Sequence, residues 1–124
     1  MSFTYDHIHL RTRDVAKVLN FYTMYLLAEI VDGKRPDGGA AIKVGGTTIL
    51  ISPLSGAQTI DPDAIGGRAL DHFAFTVADI DETVARLKAT GVVFSRDPVT
   101  LRPGLRVAFL TAPDNVSIEL IQRG

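Results

Sequence analysis

The segment Asp6-His7-Ile8-His9-Leu10-Arg11-Thr12-Arg13-Asp14-Val15 has a counterpart 65 positions further along the chain, Asp71-His72-Phe73-Ala74-Phe75-Thr76-Val77-Ala78-Asp79-Ile80. The two segments align without a gap. Both read Asp-His, then a strand-like stretch, and then an aspartate followed by a β-branched residue. An internal repeat of this kind predicts that the chain is built from two copies of one structural unit.

Each copy continues with the apolar periodicity of an amphipathic helix and then with three strand-like runs. Apolar residues recur at i, i+3, i+4 and i+7 after Asp14, and Ile80, Val84 and Leu87 form the corresponding stripe after Asp79. Both aspartates are suited to cap a helix. The alternating and apolar runs beyond the helices predict strands at Ala28–Val31, Ala40–Val44, Thr47–Ser52, Val92–Ser95, Leu105–Leu110 and Val116–Ile121.

Turn-forming residues separate these runs. Gly45-Gly46 and Asp114-Asn115 indicate tight hairpins before the last strand of each copy, and Pro98–Gly104 is expected to be a loop. A Ser/Gly/Asp/Pro-rich stretch, 52–68, joins the copies. The sequence therefore predicts one α+β domain over residues 1–124. It consists of two βαβββ modules, 4–53 and 69–122.

The composition restricts the classes of function. The chain has 124 residues, 46% of them hydrophobic, with 13 Lys+Arg against 14 Asp+Glu. This balance argues against a nucleic-acid partner, which selects for a basic surface. No apolar run has the length of a membrane span, and no secretory signal is visible at the N-terminus, so we expect a cytoplasmic protein with no membrane partner. The absence of cysteine excludes disulfides and thiolate metal sites.

All three histidines lie in the repeated first strands, at His7, His9 and His72. In the last strand, Glu119 interrupts an apolar run, where a carboxylate is costly to bury without a positive partner. Two imidazoles and one carboxylate are the ligands of a metal site that keeps open positions. The alternative is that His7 and His72 are hydrogen-bonded core residues and Glu119 is exposed. Their repeat-equivalent positions favour the metal site.

The repeat and its motifs resemble the vicinal oxygen chelate superfamily, which includes glyoxalases, fosfomycin-resistance transferases, extradiol dioxygenases and metal-free bleomycin-resistance proteins. The residues that carry the resemblance are Asp6-His7 through Phe21-Tyr22, then Leu70 through Val77, and then Pro113-Asp114-Asn115 leading into Ile118-Glu119-Leu120. The resemblance implies that His7, His72 and Glu119 bind a divalent ion: Fe(II), Mn, Ni or Zn. It also implies that the mixed sheets of the two modules together form a cup. Finally, it implies a homodimer, in which His7 comes from one protomer and His72 with Glu119 from the other.

Three departures from the family pattern narrow the expected chemistry. When the two hairpins are aligned, Leu50 in the first copy is equivalent to Glu119 in the second. Glyoxalases and epimerases of the family keep a carboxylate at the Leu50 position, and leucine cannot replace it. The His and Tyr that extradiol dioxygenases carry before the last hairpin are also missing. Finally, Leu27 occupies the usual position of a glycine after the first helix.

The resemblance therefore implies a metal-dependent enzyme of the dioxygenase, lyase or transferase type, acting on a small oxygen-bearing substrate. The alternative is a metal-free small-molecule binding protein of the bleomycin-resistance kind. His9 shares the face of His7 and is a candidate acid–base residue, or else a pocket wall without a chemical role. Arg11, Arg102 and Arg106 are candidate contacts for an anionic substrate, although the favoured interpretation of Arg11 is a solvated strand end.

Overall fold

A computed structural model describes residues 5–56 and 71–124, and these two ranges belong to two separate compact units. Each unit has the order strand, helix and three strands, as the repeat predicts. Residues 4, 69 and 70 of the predicted modules 4–53 and 69–122, and residues 57–68 of the predicted linker, lie outside the described part of the chain. The module bounds therefore stay a prediction.

The elements of the two units correspond one to one. The first unit contains β1 (Ile8–Thr12), α1 (Val15–Tyr25), β2 (Glu29–Asp32), β3 (Ala40–Val44) and β4 (Thr47–Pro53). The second contains β5 (Phe73–Thr76), α2 (Ile80–Ala89), β6 (Val93–Arg102), β7 (Leu105–Ala112) and β8 (Val116–Arg123). Neither helix in this part of the chain has the length and apolar character needed to cross a membrane.

Both units contain a four-stranded mixed sheet with the same topology. The strand orders are β1-β4-β3-β2 and β5-β8-β7-β6, and in each sheet the first strand pairs in parallel with the last. The register is also equivalent, because Ile8 pairs with Ile49 in one unit and Phe73 with Ile118 in the other. The repeat in sequence is therefore a repeat in strand register.

One face of each sheet is covered by the helix of its own unit. Helix α1 buries Val18 and Tyr22, and α2 buries Ile80, Val84 and Leu87, at the helical spacing seen in the sequence. In the second unit the backbone N–H of Ile80 donates to Gln122 Oε1 over 2.8 Å, so the face of Ile118, Leu120 and Gln122 looks toward α2. Alternation along β8 places Glu119 on the opposite face.

The predicted helix starts and hairpins are confirmed. Asp14 accepts a hydrogen bond from the Lys17 N–H and Asp79 from the Glu82 N–H, and these bonds pair N–H groups left free at a helix start. The chain turns at Gly45-Gly46 and at Asp114-Asn115, and all four residues have positive φ. After α1, Leu27 adopts a φ of 57°, a left-handed conformation that glycine accepts more easily.

The predicted loop over Pro98–Gly104 is wrong for most of its length. Strand β6 continues to Arg102, pairing Val99 with Val107 and Arg102 with Leu105. The pairing register shifts between Arg96 and Val99, and this irregularity accommodates Pro98, which has no N–H to donate to the ladder. A proline therefore marks a bulge here and not the end of the strand.

Candidate functional site

His72 and Glu119 lie side by side on the face of the second sheet opposite α2. His72 directly precedes β5, and β5 pairs in parallel with β8, where Ala74 is opposite Glu119. His72 Nε2 is 3.1 Å from Glu119 Oε1. The Glu119 side chain is 15% exposed and that of His72 is 31% exposed. The sequence-predicted pair is thus brought together in a half-buried position.

The ring of His72 is held on two further sides. Its Nδ1 donates to Asp71 Oδ2 over 2.7 Å, because an ionised carboxylate only accepts hydrogen bonds. The ring also packs edge-on against Phe109, with 5.1 Å between the ring centroids. The hydrogen bond to Asp71, and next the hydrogen bond and charge of Glu119, raise the pKa of His72 above its ordinary value, although burial opposes them.

The first unit repeats the same histidine arrangement. His7 directly precedes β1, and its Nδ1 donates to Asp6 Oδ2 over 2.6 Å. Its side chain is 39% exposed. In both copies, therefore, the aspartate of the Asp-His pair occupies Nδ1 and leaves Nε2 as the nitrogen directed elsewhere. Metal-binding histidines are oriented by a carboxylate in this same way.

The geometry of the His72–Glu119 pair fits a divalent ion. With bonds of about 2.0–2.2 Å, two ligands of one ion at tetrahedral or octahedral angles lie about 2.8–3.6 Å apart, and the observed separation of 3.1 Å lies within that range. Imidazole and carboxylate ligands suit Fe, Mn, Ni and Zn. Within residues 5–56 and 71–124, no group of three or more His, Cys, Asp or Glu side chains is arranged to hold an ion. The set of His7, His72 and Glu119 therefore stays a prediction.

Leu50 occupies the position in the first sheet that Glu119 occupies in the second. His9 pairs with Leu50 just as Ala74 pairs with Glu119, and on the other side Ala41 and Phe109 face these two residues. The alignment made from the hairpins is therefore confirmed by strand register. A leucine side chain offers neither a metal ligand nor a proton-transfer group at this position.

His9 belongs to a hydrogen-bonded chain with Ser52 and Asp37. His9 Nε2 is 2.7 Å from Ser52 Oγ, and Ser52 Oγ is 2.7 Å from Asp37 Oδ2. Ser52 is 1% exposed, whereas His9 is exposed. The hydrogen bond from Ser52, and after it that from the Gly39 N–H, lower the pKa of Asp37 below its ordinary value.

The three candidate arginines lie in different surroundings. Arg11 donates to the carbonyl oxygen of Pro53 over 3.0 Å, and Arg102 is exposed at the end of β6. Arg106 pairs with Gln122, so it lies on the α2 side of the sheet, where its guanidinium binds Asp81. The structure therefore does not bring Arg106 to the face of Glu119. The substrate contacts proposed for all three arginines remain predictions.

Sequence reasoning missed the carboxylates and the serine that support the histidines. The signal for Asp6 and Asp71 was present, since the Asp-His pair itself is repeated. Asp37 and Ser52 gave no such signal. They lie 15 positions apart, Asp37 in a turn and Ser52 at the end of an apolar run, and only the fold brings them together.

Curated relatives match over nearly the whole chain. A probable lactoylglutathione lyase of Vibrio cholerae is 29% identical over 94% of this chain and 88% of its own length. A probable chloroplastic lactoylglutathione lyase of Arabidopsis thaliana is 30% identical over 95% of this chain but 35% of its own length. The chain thus spans about a third of the plant relative.

Solved structures share the fold at lower identity. A glyoxylase/bleomycin resistance protein/dioxygenase domain from Frankia sp. EAN1pec covers 100% of both chains with a TM-score of 0.78 and 24% identity. A variant of the fosfomycin resistance protein FosX from Listeria monocytogenes, complexed with Mn(II) and 1S,2S-dihydroxypropylphosphonic acid, has a TM-score of 0.73 and 24% identity. It matches 97% of this chain and 90% of its own.

A sequence model of a protein family matches most of this chain, and the fold agrees with that match. The model describes the Glyoxalase/Bleomycin resistance protein/Dioxygenase superfamily and matches residues 4–120. That range contains both copies of the Asp-His pair and the strand that carries Glu119. This chain belongs to the Glyoxalase/Bleomycin resistance protein/Dioxygenase superfamily.

Proposed function

We propose that this protein is a divalent-metal-dependent enzyme in which His7, His72 and Glu119 hold the ion. The observation that carries the proposal is the 3.1 Å approach of His72 Nε2 to Glu119 Oε1, with the other ring nitrogen of His72 already taken by Asp71. A second imidazole, His7, is prepared in the same way by Asp6. An ion held by these residues supplies Lewis-acid stabilisation of negative charge on a substrate oxygen.

The aspartates determine which nitrogen each imidazole offers. An N–H···carboxylate bond at Nδ1 fixes the hydrogen there and makes Nε2 the basic atom. It also fixes the plane of the ring, which in His72 is further packed against Phe109. We assign Asp6 and Asp71 as the groups that orient the ligands, a role that accounts for the aspartate at the start of both copies.

Leu50 limits the site to three protein ligands. A lactoylglutathione lyase is named among the relatives, but the position equivalent to Glu119 in the first sheet carries no group that can bind an ion or accept a proton. We therefore propose a small oxygen-bearing substrate that binds at the open positions of a three-ligand site.

The His and Tyr that extradiol dioxygenases carry before the last hairpin are missing here. Phe109, which lies in that region and packs on His72, offers no proton-transfer group. Of the dioxygenase, lyase and transferase types, this favours lyase or transferase chemistry over ring cleavage. Arg11 and Arg102 are the candidate contacts for an anionic part of the substrate. Both are exposed, and Arg102 shares the sheet face of Glu119 through its pairing with Leu105.

We further propose that the site is built across a homodimer, with His7 from one protomer and His72 and Glu119 from its partner. Mixing two inactive variants tests this arrangement. If His7→Ala and His72→Ala chains exchange subunits, half of the sites in each mixed dimer keep all three ligands, so metal binding returns. No return of binding in mixtures that have exchanged subunits would contradict a shared site.

Metal content is the test of the function itself. Untagged protein is incubated separately with Fe(II), Mn, Ni and Zn, freed of excess metal and analysed by mass spectrometry. We expect metal in the wild type and its loss from both His72→Ala and Glu119→Gln, because each variant removes one ligand. Glu29→Gln is the matched control, since Glu29 is an exposed glutamate on strand β2 of the other sheet.

The outcomes separate the two candidate functions. A wild type that retains none of the four metals would refute the enzyme and favour the metal-free binding protein. Equal retention by the wild type, His72→Ala and Glu119→Gln would mean that the ion is held elsewhere. Loss in Glu29→Gln as well would mean that changes in net charge, and not ligand removal, explain the result.

A further inference from the structure

The hydrogen-bonded chain of His9, Ser52 and Asp37 lies outside the proposed set of metal ligands. Its chemistry determines which group donates and which accepts in each hydrogen bond. The lowered pKa of Asp37 keeps its side chain an ionised carboxylate, which can only accept hydrogen bonds. Ser52 has a single hydroxyl hydrogen, and the 2.7 Å contact with Asp37 Oδ2 uses it. Ser52 Oγ therefore has only lone pairs left for His9, so His9 Nε2 must donate across their 2.7 Å contact.

Asp37 is held in place by the turn that carries it. Its other oxygen, Oδ1, accepts from the Gly39 N–H over 2.9 Å. A Cβ added at Gly39 would lie 2.1 Å from the carbonyl oxygen of Ile51, so the backbone here approaches β4 more closely than any side chain permits. With Oδ1 fixed by Gly39, Oδ2 is the oxygen that faces the buried Ser52.

We propose that Ser52 and Asp37 are positioning residues that hold the His9 ring with its hydrogen on Nε2, so that Nδ1 accepts a hydrogen bond from a hydroxyl or amide group of the substrate. Within the described residues, Nδ1 of His9 has no hydrogen-bond partner, and the side chain is exposed. The assignment of substrate to this face rests on the proposed function, because His7 would bind the ion two positions away on the same face of the strand.

His9 and His7, which directly precedes β1, are thereby given opposite tautomers. In His7 the hydrogen is on Nδ1, facing Asp6, and Nε2 has no partner among residues 5–56 and 71–124. In His9 the hydrogen is on Nε2, facing Ser52, and Nδ1 is the nitrogen without a partner in the same ranges. His9 Nε2 is consequently unsuited to bind an ion. Under the proposed function, His7 then serves the metal, and His9 serves a hydrogen-bond donor of the substrate.

Nitrogen NMR of the imidazole rings tests this assignment without requiring a substrate. Metal-free protein with ¹⁵N-labelled histidine is studied at mildly alkaline pH, where the two-bond couplings between ring nitrogens and ring hydrogens distinguish the tautomers. We expect the Nε2–H form of His9 in the wild type. A wild type with the Nδ1–H form, or with an even mixture, overturns the proposal.

Substitutions at Asp37 give a result that a merely structural role would not produce. In Asp37→Asn the amide oxygen stays on the Gly39 N–H, so the amide nitrogen donates to Ser52, whose hydroxyl then donates to His9. The tautomer of His9 should therefore reverse to Nδ1–H. In Asp37→Ala the hydroxyl is free to rotate, and a mixture is expected. Asp32→Asn is the control. Asp32 ends β2, and among the described residues its side chain accepts a hydrogen bond only from the Lys34 N–H, so His9 should be unchanged.

A parallel measurement separates this inference from the proposed function. Mn(II) binding is measured on the same proteins, and we expect it to be equal in the wild type, Asp37→Asn and Asp37→Ala. A wild type that binds no Mn(II) but shows the tautomer reversal contradicts the proposed function and supports the fixed tautomer. A wild type that binds Mn(II) while Asp37→Asn leaves the tautomer unchanged supports the proposed function and overturns the inference.

Discussion

Replacing Asp71 by asparagine should weaken metal binding without removing a ligand. The 2.7 Å bond between His72 Nδ1 and Asp71 Oδ2 is charge-assisted, and it raises the basicity of the opposite nitrogen. Loss of such an outer partner costs about 10–100-fold in metal affinity, which corresponds to about 1.4–2.7 kcal/mol. Because the Asp71 side chain is 95% exposed, solvent screens its charge, and we expect an effect near the lower end of that range.

The loss should depend on pH in a defined direction. Asp71 is the largest cause that raises the pKa of His72, so the wild-type ring retains its proton to a higher pH than the variant does. A bound proton must leave before the ion can bind Nε2. Wild-type affinity therefore falls as the pH drops through this raised pKa, whereas the variant meets the same competition only at lower pH. The ratio of the two affinities should be largest at alkaline pH and should shrink on acidification.

Calorimetric titration with Mn(II) and Zn²⁺ across this pH range measures both effects. Asp6→Asn is the matched variant in the first copy and should also weaken binding. Asp97→Asn is the control, because Asp97 on β6 forms an exposed ion pair with Lys88 of α2. Equal affinities for the wild type and Asp71→Asn at every pH would refute the orienting role. An equal loss in Asp97→Asn would attribute the effect to net charge.

Three further predictions concern stability, measured by urea unfolding. Leu27→Gly should stabilise the fold by about 0.5–1 kcal/mol. The left-handed conformation costs leucine about 1–2 kcal/mol, and removing this cost outweighs the greater conformational freedom of glycine in the unfolded chain. Leu27 is 74% exposed, so little packing is lost. Asp79→Ala should destabilise it by about 1 kcal/mol through loss of the helix cap. The lowered pKa of Asp37 should stabilise the wild type over Asp37→Asn above pH 3.8, its unfolded value, and this advantage should disappear as the pH falls through the lower folded pKa.

Each of these predictions has a contrary outcome. Gly91 has a φ of 97° after α2, so Gly91→Ala should destabilise the fold, and a gain there would contradict the strain argument used for Leu27. Unchanged stability in Asp79→Ala would mean that solvent replaces the cap without cost. A difference between the wild type and Asp37→Asn that grows on acidification would have the wrong sign for a carboxylate of lowered pKa.

The topology could be predicted from the sequence because its determinants are local and occur twice. The Asp-His segments, the helical stripes that follow them and the Gly45-Gly46 turn each act within a few residues, and the same order in both halves excludes chance matches. Their agreement also predicted that Leu50 occupies the position in the first copy that Glu119 occupies in the second. The pairing of the strands confirms this equivalence.

Features that depend on pairing between strands could not be read in this way. Pro98 ends a strand in most local settings, but a register shift against β7 lets β6 continue through it. Ser52 and Asp37 meet only because β4 and the turn before β3 pack together. The side of the sheet on which Arg106 lies depends on its pairing with Gln122, which is settled by the position of the whole hairpin.

The central claim is that His7, His72 and Glu119 bind one divalent ion, and anomalous diffraction from crystals grown with Zn²⁺ tests it most directly. We predict an anomalous peak about 2.0–2.2 Å from Nε2 of His7, from Nε2 of His72 and from a carboxylate oxygen of Glu119. The same map identifies which protomer contributes His7. A peak bonded to His9, or a map with no peak at Glu119, would contradict the account.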